Sequence, residues 1–278
     1  MNSLEFSALV CLVAGAAGFL GALTGLGGGV VLTPALTLLF GVDIRYAIGA
    51  TLVSVIATSS GAASAYLKEG FSNIRIGMFL EIATTLGAVT GAVLAVWIPT
   101  SGLGVILGVV LLYSAYLSMR PHAETHATVA ADPLAERLRL DSTYPTPHGS
   151  QPYKVQRVRT GFTVMFGAGT LSGLLGIGSG AFKVIAMDQA MRIPFKVSTT
   201  TSNFMIGVTA AASAGVYLNR GYIHPALAMP VMLGVSVGSF LGARRLSGAD
   251  VRLLRLLFGG VVGVLAVEMI YNGLTGGL

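Results

Sequence analysis

Long apolar runs separated by short polar connections dominate this chain. Apolar runs cover approximately 4–24, 28–40, 46–66, 76–97 and 102–119. A polar stretch follows from Arg120 to Val158, and five more apolar runs lie near 159–175, 180–191, 197–218, 223–243 and 252–273. A helix needs about 20 apolar residues to cross a bilayer, so most of these runs predict spanning helices. The runs at 28–40 and 180–191 are too short to span and predict half-helices, each starting at a glycine cluster.

The two sets of runs read as one segment set twice. Gly25-Leu26-Gly27-Gly28-Gly29 matches Gly176-Ile177-Gly178-Ser179-Gly180 at an offset of 151 residues. The offset holds without a gap well beyond the glycines: Gly18 with Gly169, Thr58 with Thr209, Tyr66 with Tyr217, Gly87 with Gly238, Gly108 with Gly259. Paired glycine breaks inside apolar sequence point to a transporter whose site lies where the repeats meet. The expected organisation is a first membrane repeat at 1–120, a polar cytoplasmic linker at 121–158 and a second membrane repeat at 159–278. The linker holds five prolines and no sustained periodicity, and its composition cannot bury enough apolar surface to fold alone.

Composition sharpens this picture. The chain is 54% hydrophobic and 10% charged, with mean hydropathy +0.79. Soluble domains carry about 25% charged residues, so the bilayer is this chain's solvent. The net charge of +6 does not imply nucleic acid, because the basic residues sit at segment ends. Cys11 is the sole cysteine, so no internal disulfide forms. The first run is longer than the core of a cleaved signal and lacks a basic flank, which predicts a retained helix.

Charge distribution predicts orientation. Lys and Arg gather in the linker, at Lys68 and Arg75, at Arg192 and Lys196, and at Arg244, Arg245, Arg252 and Arg255. Arg45 and Arg220 are single exceptions. The positive-inside rule then places the linker in the cytoplasm and both termini outside. The loop at 67–75 falls inside and its repeat mate at 219–222 outside. The expected fold class is therefore an all-α polytopic membrane protein of two inverted repeats, about five helical segments each, with two half-helices starting at glycine-rich breaks.

In that arrangement the half-helix starts, near Gly28 and Ser179, meet close to the midplane. A helix start presents unpaired N–H groups and the positive end of its dipole, which suits an anion. Glycine lets the backbone approach a ligand closely, whereas the plain alternative is tight helix crossing. The paired clusters fit a site; Gly87, Gly91, Gly238 and Gly242 fit packing. Lys183 lies inside the second half-helix, where its repeat mate is Leu32. An intramembrane lysine is costly and marks a functional site by default, against the plain reading of a snorkelling side chain. Asp188 is a candidate partner. Ser202 and Asn203 open the next segment, opposite Thr51 and Leu52 in the first half, and offer hydroxyl and amide donors to an oxyanion. Helix–helix hydrogen bonding is the plain reading there, and more so for Thr58, Ser59 and Ser60. The candidate substrate ligands are Lys183, Ser202, Asn203, Ser179, Gly180, Gly178, Gly27, Gly28, Gly29 and Thr51.

Weaker signals remain. Glu81 and Glu268 lie within apolar runs as candidate proton carriers, near enough to segment ends for partial hydration. Tyr66 and Tyr217 fit interfacial aromatics. His122, Glu124 and His126 have helical metal spacing, but in a proline-containing loop they fit solvated residues. No catalytic set stands out, and the glycine cluster lacks the context of a dinucleotide fold. No cofactor is implied.

On these motifs the chain resembles the TauE/SafE (TSUP) sulfite exporter family. Gly25 through Pro34 is similar to the family's glycine-rich motif ending in proline. Gly176 through Ile185 is similar to a variant carrying lysine before a Val-Pro pair, and Thr201-Ser202-Asn203-Phe204-Met205-Ile206 to the polar motif after it. Ser179 stands where that motif has glycine, and Ile185 where it has proline. The resemblance implies a secondary transporter in the cytoplasmic membrane for sulfite, thiosulfate or an organosulfonate, usually outward, and it leaves room for a homodimer. The competing reading is a cation or metal-ion permease. Against it stand few intramembrane carboxylates and no Met/His/Cys cluster.

Overall fold

The computed structural model describes residues 2–24, 28–68, 72–119, 132–146, 149–245 and 251–277. Gly25, Leu26 and Gly27 of the first glycine cluster lie outside the described residues, as do His122, Glu124 and His126.

The chain is mostly helical. Helices α1 (Ser3–Thr24), α2 (Gly29–Phe40), α3 (Ile44–Lys68), α4 (Ile74–Trp97) and α5 (Thr100–Met119) form the first set. A short α6 (Pro133–Arg137) and a hairpin of β1 (Ser142–Thr146) and β2 (Gly149–Tyr153) follow. Helices α7 (Val158–Leu175), α8 (Gly180–Ile185), α9 (Phe195–Asn219), α10 (Pro225–Arg245) and α11 (Val251–Thr275) form the second. Helix α8 runs on as a π-helical turn over Ala186–Ala190. In hydrocarbon each backbone amide must find its partner within the segment, and helices do this. Among the described residues, α1, α4 and α10 contain stretches long and apolar enough to cross a bilayer, at Leu4–Gly21, Ile74–Trp97 and Pro225–Gly242.

Glycine ends two of the helices. Gly41 closes α2 and Gly176 closes α7, both left-handed, with φ 63° and 69°. The Gly176 N–H reaches back to Ser172 O at 2.8 Å and satisfies a carbonyl that the helix end would otherwise orphan.

The starts of α2, α3, α4 and α5 recur in α8, α9, α10 and α11 at the 151-residue offset. Ile44–Lys68 becomes Phe195–Asn219, and both helices have 25 residues. Packing follows the same exchange. The most extensive contacts are α1 with α10 and α4 with α7, each pairing a helix of one set with a helix of the other. Helix α3 packs on α9, α5 on α11, and the α10–α3 contact has its counterpart in α4–α9. Glycines open these crossings. A methyl at Gly18 would lie 2.6 Å from Val235 O, and one at Gly169 would strike Thr84 O, the offset mate of Val235. Gly87 faces Phe166 O and Gly238 faces Gly15 O, again an exchanged pair. Small residues let backbones touch where apolar side chains have no water to escape.

The described part of the polar linker, from residue 132 on, folds against the helices rather than alone. Leu140, Tyr153 and Val155 are buried in a cluster with Ile76, Leu80, Met165 and Met187. Asn73 ties the parts together. Its side chain accepts from Ile76 N–H at 3.1 Å, capping α4, and its Nδ2 donates to Leu140 O at 3.1 Å and Tyr153 Oη at 2.7 Å. Its backbone N–H donates to Thr201 Oγ1 on α9 at 3.1 Å. Asp132 accepts from Leu134 N–H and from Val158 N–H, both at 2.9 Å, and so caps α6 and α7 together. Those hydrogen bonds hold its carboxyl below the usual aspartate range.

Candidate functional site

The two helix breaks converge. A methyl at Gly29, where α2 starts, would meet Val55 Cγ2 at 2.7 Å and lie 3.6 Å from Gly176 O. One at Gly178 would meet Ile206 at 3.2 Å and Val55 at 3.4 Å. Val55 and Ile206 are themselves offset mates, so both breaks close on one apolar pair. Gly178 and Ser179 adopt left-handed backbone, with φ 72° and 45°. That conformation suits glycine and burdens serine. Ser179 is buried, and its hydroxyl has no hydrogen-bond partner. A buried polar group without a partner is costly and calls for a function.

Lys183 lies in the first turn of α8, with its N–H on Ser179 O at 3.0 Å. It is 0% exposed. The side chain does not snorkel; Nζ donates to Thr209 Oγ1 on α9 at 2.5 Å. The Thr209 hydroxyl lies 2.8 Å from Glu81 Oε1 on α4 and 2.9 Å from Met205 O on its own helix. Thr85 also donates to Glu81 Oε1, at 3.0 Å. Glu81 Oε2 is buried without a partner. Three helices thus bring an ammonium, a hydroxyl and a carboxylate into one buried chain.

The other candidates divide. Ser202 Oγ donates to Gly180 O at 3.3 Å and holds α9 against the start of α8. Thr51 is buried and accepts from Thr33 Oγ1 at 3.1 Å, joining α3 to α2. Gly28 caps α2, and its carbonyl receives Val31 and Leu32 N–H at 3.3 and 3.2 Å. Gly180 opens α8. Asn203 is half-buried. The Lys183 hydrogen bond goes to Thr209 rather than to Ser202, Asn203 or Asp188. Glu81, expected to be partly hydrated, is 8% exposed. Tyr217, expected at the interface, is buried and donates to Leu174 O at 3.2 Å. Glu268 is exposed. The Thr209 link to Lys183 is not legible in the sequence because Ser and Thr commonly bond their own helix, and Thr209 does that too.

The two basic residues that break the charge rule share a second feature. Arg45 and Arg220 line one narrow surface crevice with Tyr217 and Tyr222. Arg45 donates to Ile98 O at 3.0 Å and stands 5.9 Å from the Tyr222 ring centre. Among the described residues no group of three His, Cys, Asp or Glu side chains is placed to hold a metal.

Residues 10–269 match the family described as Sulfite exporter TauE/SafE. The chain belongs to that family. TauE/SafE proteins are membrane transporters, so this multi-pass membrane protein is a transporter and not an enzyme. It is 26% identical over 266 residues to "Probable membrane transporter protein YunE" of Bacillus subtilis (strain 168), covering 93% of this chain and 95% of the relative. Similarity to "Probable membrane transporter protein YdhB" of the same organism is 27% over 228 residues, covering 82% and 83%. Similarity to "Probable membrane transporter protein MJ0441" of Methanocaldococcus jannaschii is 25% over 276 residues, covering 94% of each. No solved structure matches the chain.

Proposed function

We propose that this TauE/SafE protein is a secondary transporter for a small sulfur-containing anion, sulfite, thiosulfate or an organosulfonate, working as an exporter by alternating access. The reading rests above all on Lys183, a fully buried cation in the first turn of a helix that starts at a glycine break. Its ammonium, the unpartnered Ser179 hydroxyl and the hydroxyl of Thr209 offer donors to an oxyanion. The family's description as a sulfite exporter supports the substrate class and the outward direction. The same reading takes the repeats as inverted and the linker as cytoplasmic, with both termini outside. Matched boundaries and exchanged packing support a doubled architecture, and the basic loops support its inversion. The first half contributes Gly28, Gly29 and Thr51 to the meeting point, and the second Gly178, Gly180, Ser202 and Asn203; Gly27 is assigned to the site by sequence alone.

Thermal stabilisation of the detergent-solubilised protein tests the substrate class, because a ligand of the folded state raises its stability by mass action. Sulfite, thiosulfate and methanesulfonate are expected to stabilise it, and chloride and divalent cations are not. Stabilisation by a divalent cation alone would favour the metal-ion permease. Cysteines placed at positions 69 and 221 test the inversion, since labelling of both from one side of the membrane rules it out.

A further inference from the structure

We infer that Glu81 is a proton site coupled to the anion site at Lys183, so that each anion is carried together with a proton. The inference rests on the anion reading above.

The argument begins with charge. Lys183 and Glu81 are both buried, and each is the opposite charge acting on the other. As an ammonium and a carboxylate they sum to zero. A monoanion arriving at Lys183 would leave one uncompensated negative charge in the bilayer interior. Such a charge is far more costly than a neutral arrangement, and a buried group gains or loses a proton rather than carry it. Proton uptake by the Glu81 carboxylate restores neutrality. The count does not depend on where the proton starts. If the empty pair holds a neutral amine and a carboxylic acid, the incoming anion needs the ammonium, and again one proton enters.

Geometry supplies the switch. The Thr209 hydroxyl has one hydrogen and two acceptors in reach, Glu81 Oε1 at 2.8 Å and Met205 O at 2.9 Å. With Glu81 ionised, the hydrogen points to the carboxylate. With Glu81 protonated, it turns to Met205 O, and the Thr209 oxygen is free to receive the new carboxyl O–H. No heavy atom needs to move. The second carboxylate oxygen, Oε2, is buried with no partner, so the ionised carboxylate is incompletely satisfied and the protonated form is favoured. Around Glu81, α4 itself offers Thr84 and Thr85, α9 offers Thr209, and α8 offers Lys183 as the charged group. Arg75 on α4, Arg159 on α7 and Lys196 on α9 stand at the helix starts, and Asp188 lies in the π turn beyond Lys183.

The consequence is electroneutral movement of a monoanion: one anion and one proton cross together. Transport then answers to concentration and pH differences, not to the membrane potential.

Isothermal titration in buffers of different ionisation enthalpy counts protons bound per anion. Methanesulfonate and thiosulfate do not titrate near neutral pH, and sulfite is run in a buffer alkaline enough to leave it a dianion. Uptake of one proton per methanesulfonate, and of one or more per dianion, is expected. The apparent affinity for methanesulfonate should fall about tenfold per pH unit where the free site is unprotonated, the slope of a one-proton linkage. Glu81→Gln, which imitates the protonated carboxyl, should still bind methanesulfonate and take up no proton. Anion binding without proton uptake by the unmodified protein overturns the coupling and leaves the anion reading standing. Binding of none of the three anions overturns the anion reading and the coupling with it. The measurement on the unmodified protein decides even if Glu81→Gln fails to fold.

Discussion

Lys183 and Leu32 occupy the same register of two half-helices, and both are fully buried. Around Lys183 stand Thr209 on α9 and Glu81 on α4. At the 151-residue offset the corresponding positions are Thr58 on α3 and Met232 on α10. There the Thr58 hydroxyl turns back to Ser54 O and Val55 O of its own helix. The backbone scaffold is doubled, but the charge is placed once. On the proposed reading one small anion needs one cation, and a second buried lysine at position 32 would add a desolvation cost with no carboxylate to offset it. The comparison separates what the repeat provides, a pair of helix breaks, from what the second half adds, a buried charge.

The strongest test removes that charge. Lys183→Met should weaken sulfur-oxyanion binding at least about tenfold, the 1.4 kcal/mol scale of a lost charged hydrogen bond, read by titration calorimetry. It should also destabilise the fold, by more as pH rises, because Glu81 without its cation stays neutral only while it holds a proton. Adding Glu81→Gln should recover the stability and not the binding. Lys183→Arg should weaken binding as well, since a planar fork replaces a compact ammonium. Unchanged affinity in Lys183→Met would leave the backbone N–H groups as the anion's main ligands.

Scaffold positions should respond alike in both halves. Gly18→Val and Gly169→Val each force a side chain into a backbone carbonyl, and overpacking costs about 1–3 kcal/mol or more. Thermal denaturation followed by size-exclusion chromatography should show similar losses for the two. A loss confined to one half would break the equivalence of the crossings.

Hydroxyl positions should respond unequally. Thr209→Val removes the bridge between Lys183 and Glu81 and should cost about 1 kcal/mol of anion affinity, whereas Thr58→Val should change affinity little. Equal effects in calorimetry would place ligands in both halves.

The smallest effect concerns the hairpin's attachment. The Asp132 carboxyl is held below its usual value by the N–H groups of Val158 and Leu134. Its stabilisation is fully present above the ordinary aspartate value near 3.8 and is lost as pH falls through the lower folded value. Limited proteolysis of the 132–158 segment should accelerate under that acid, and Asp132→Asn should remove this pH dependence.

Much of the scaffold is legible in the chain because hydrocarbon imposes long apolar runs with sharp ends. The run near 197–218 became Phe195–Asn219, and the short run at 28–40 became Gly29–Phe40. The linker hairpin was not legible. Its buried residues, Leu140, Tyr153 and Val155, are few and spaced without period, and their partners are on distant helices. Lys183 announces itself, since a lysine in apolar sequence is expensive. Its partners do not. Thr209 lies 26 residues on, and Glu81 lies 128 residues from Thr209, in the other half. Such a pairing depends on which helices cross, and no local pattern encodes it.

The glycine crossings carry one more consequence. At α1–α10 and α4–α7 backbone meets backbone, with no room for a methyl group between. Surfaces fitted that closely do not slide or part without opening a void. On the alternating-access reading, the bodies that swing against each other are therefore not the two halves of the sequence. Each is a composite, one riveted to the α1–α10 seam and the other to the α4–α7 seam, with a helix from either half in both. Glu81 rides on the second body, and Gly15 and Gly18 on the first. A hinge in this transporter is to be sought between those seams, among the α3–α9 and half-helix contacts, and not in the linker that joins the halves.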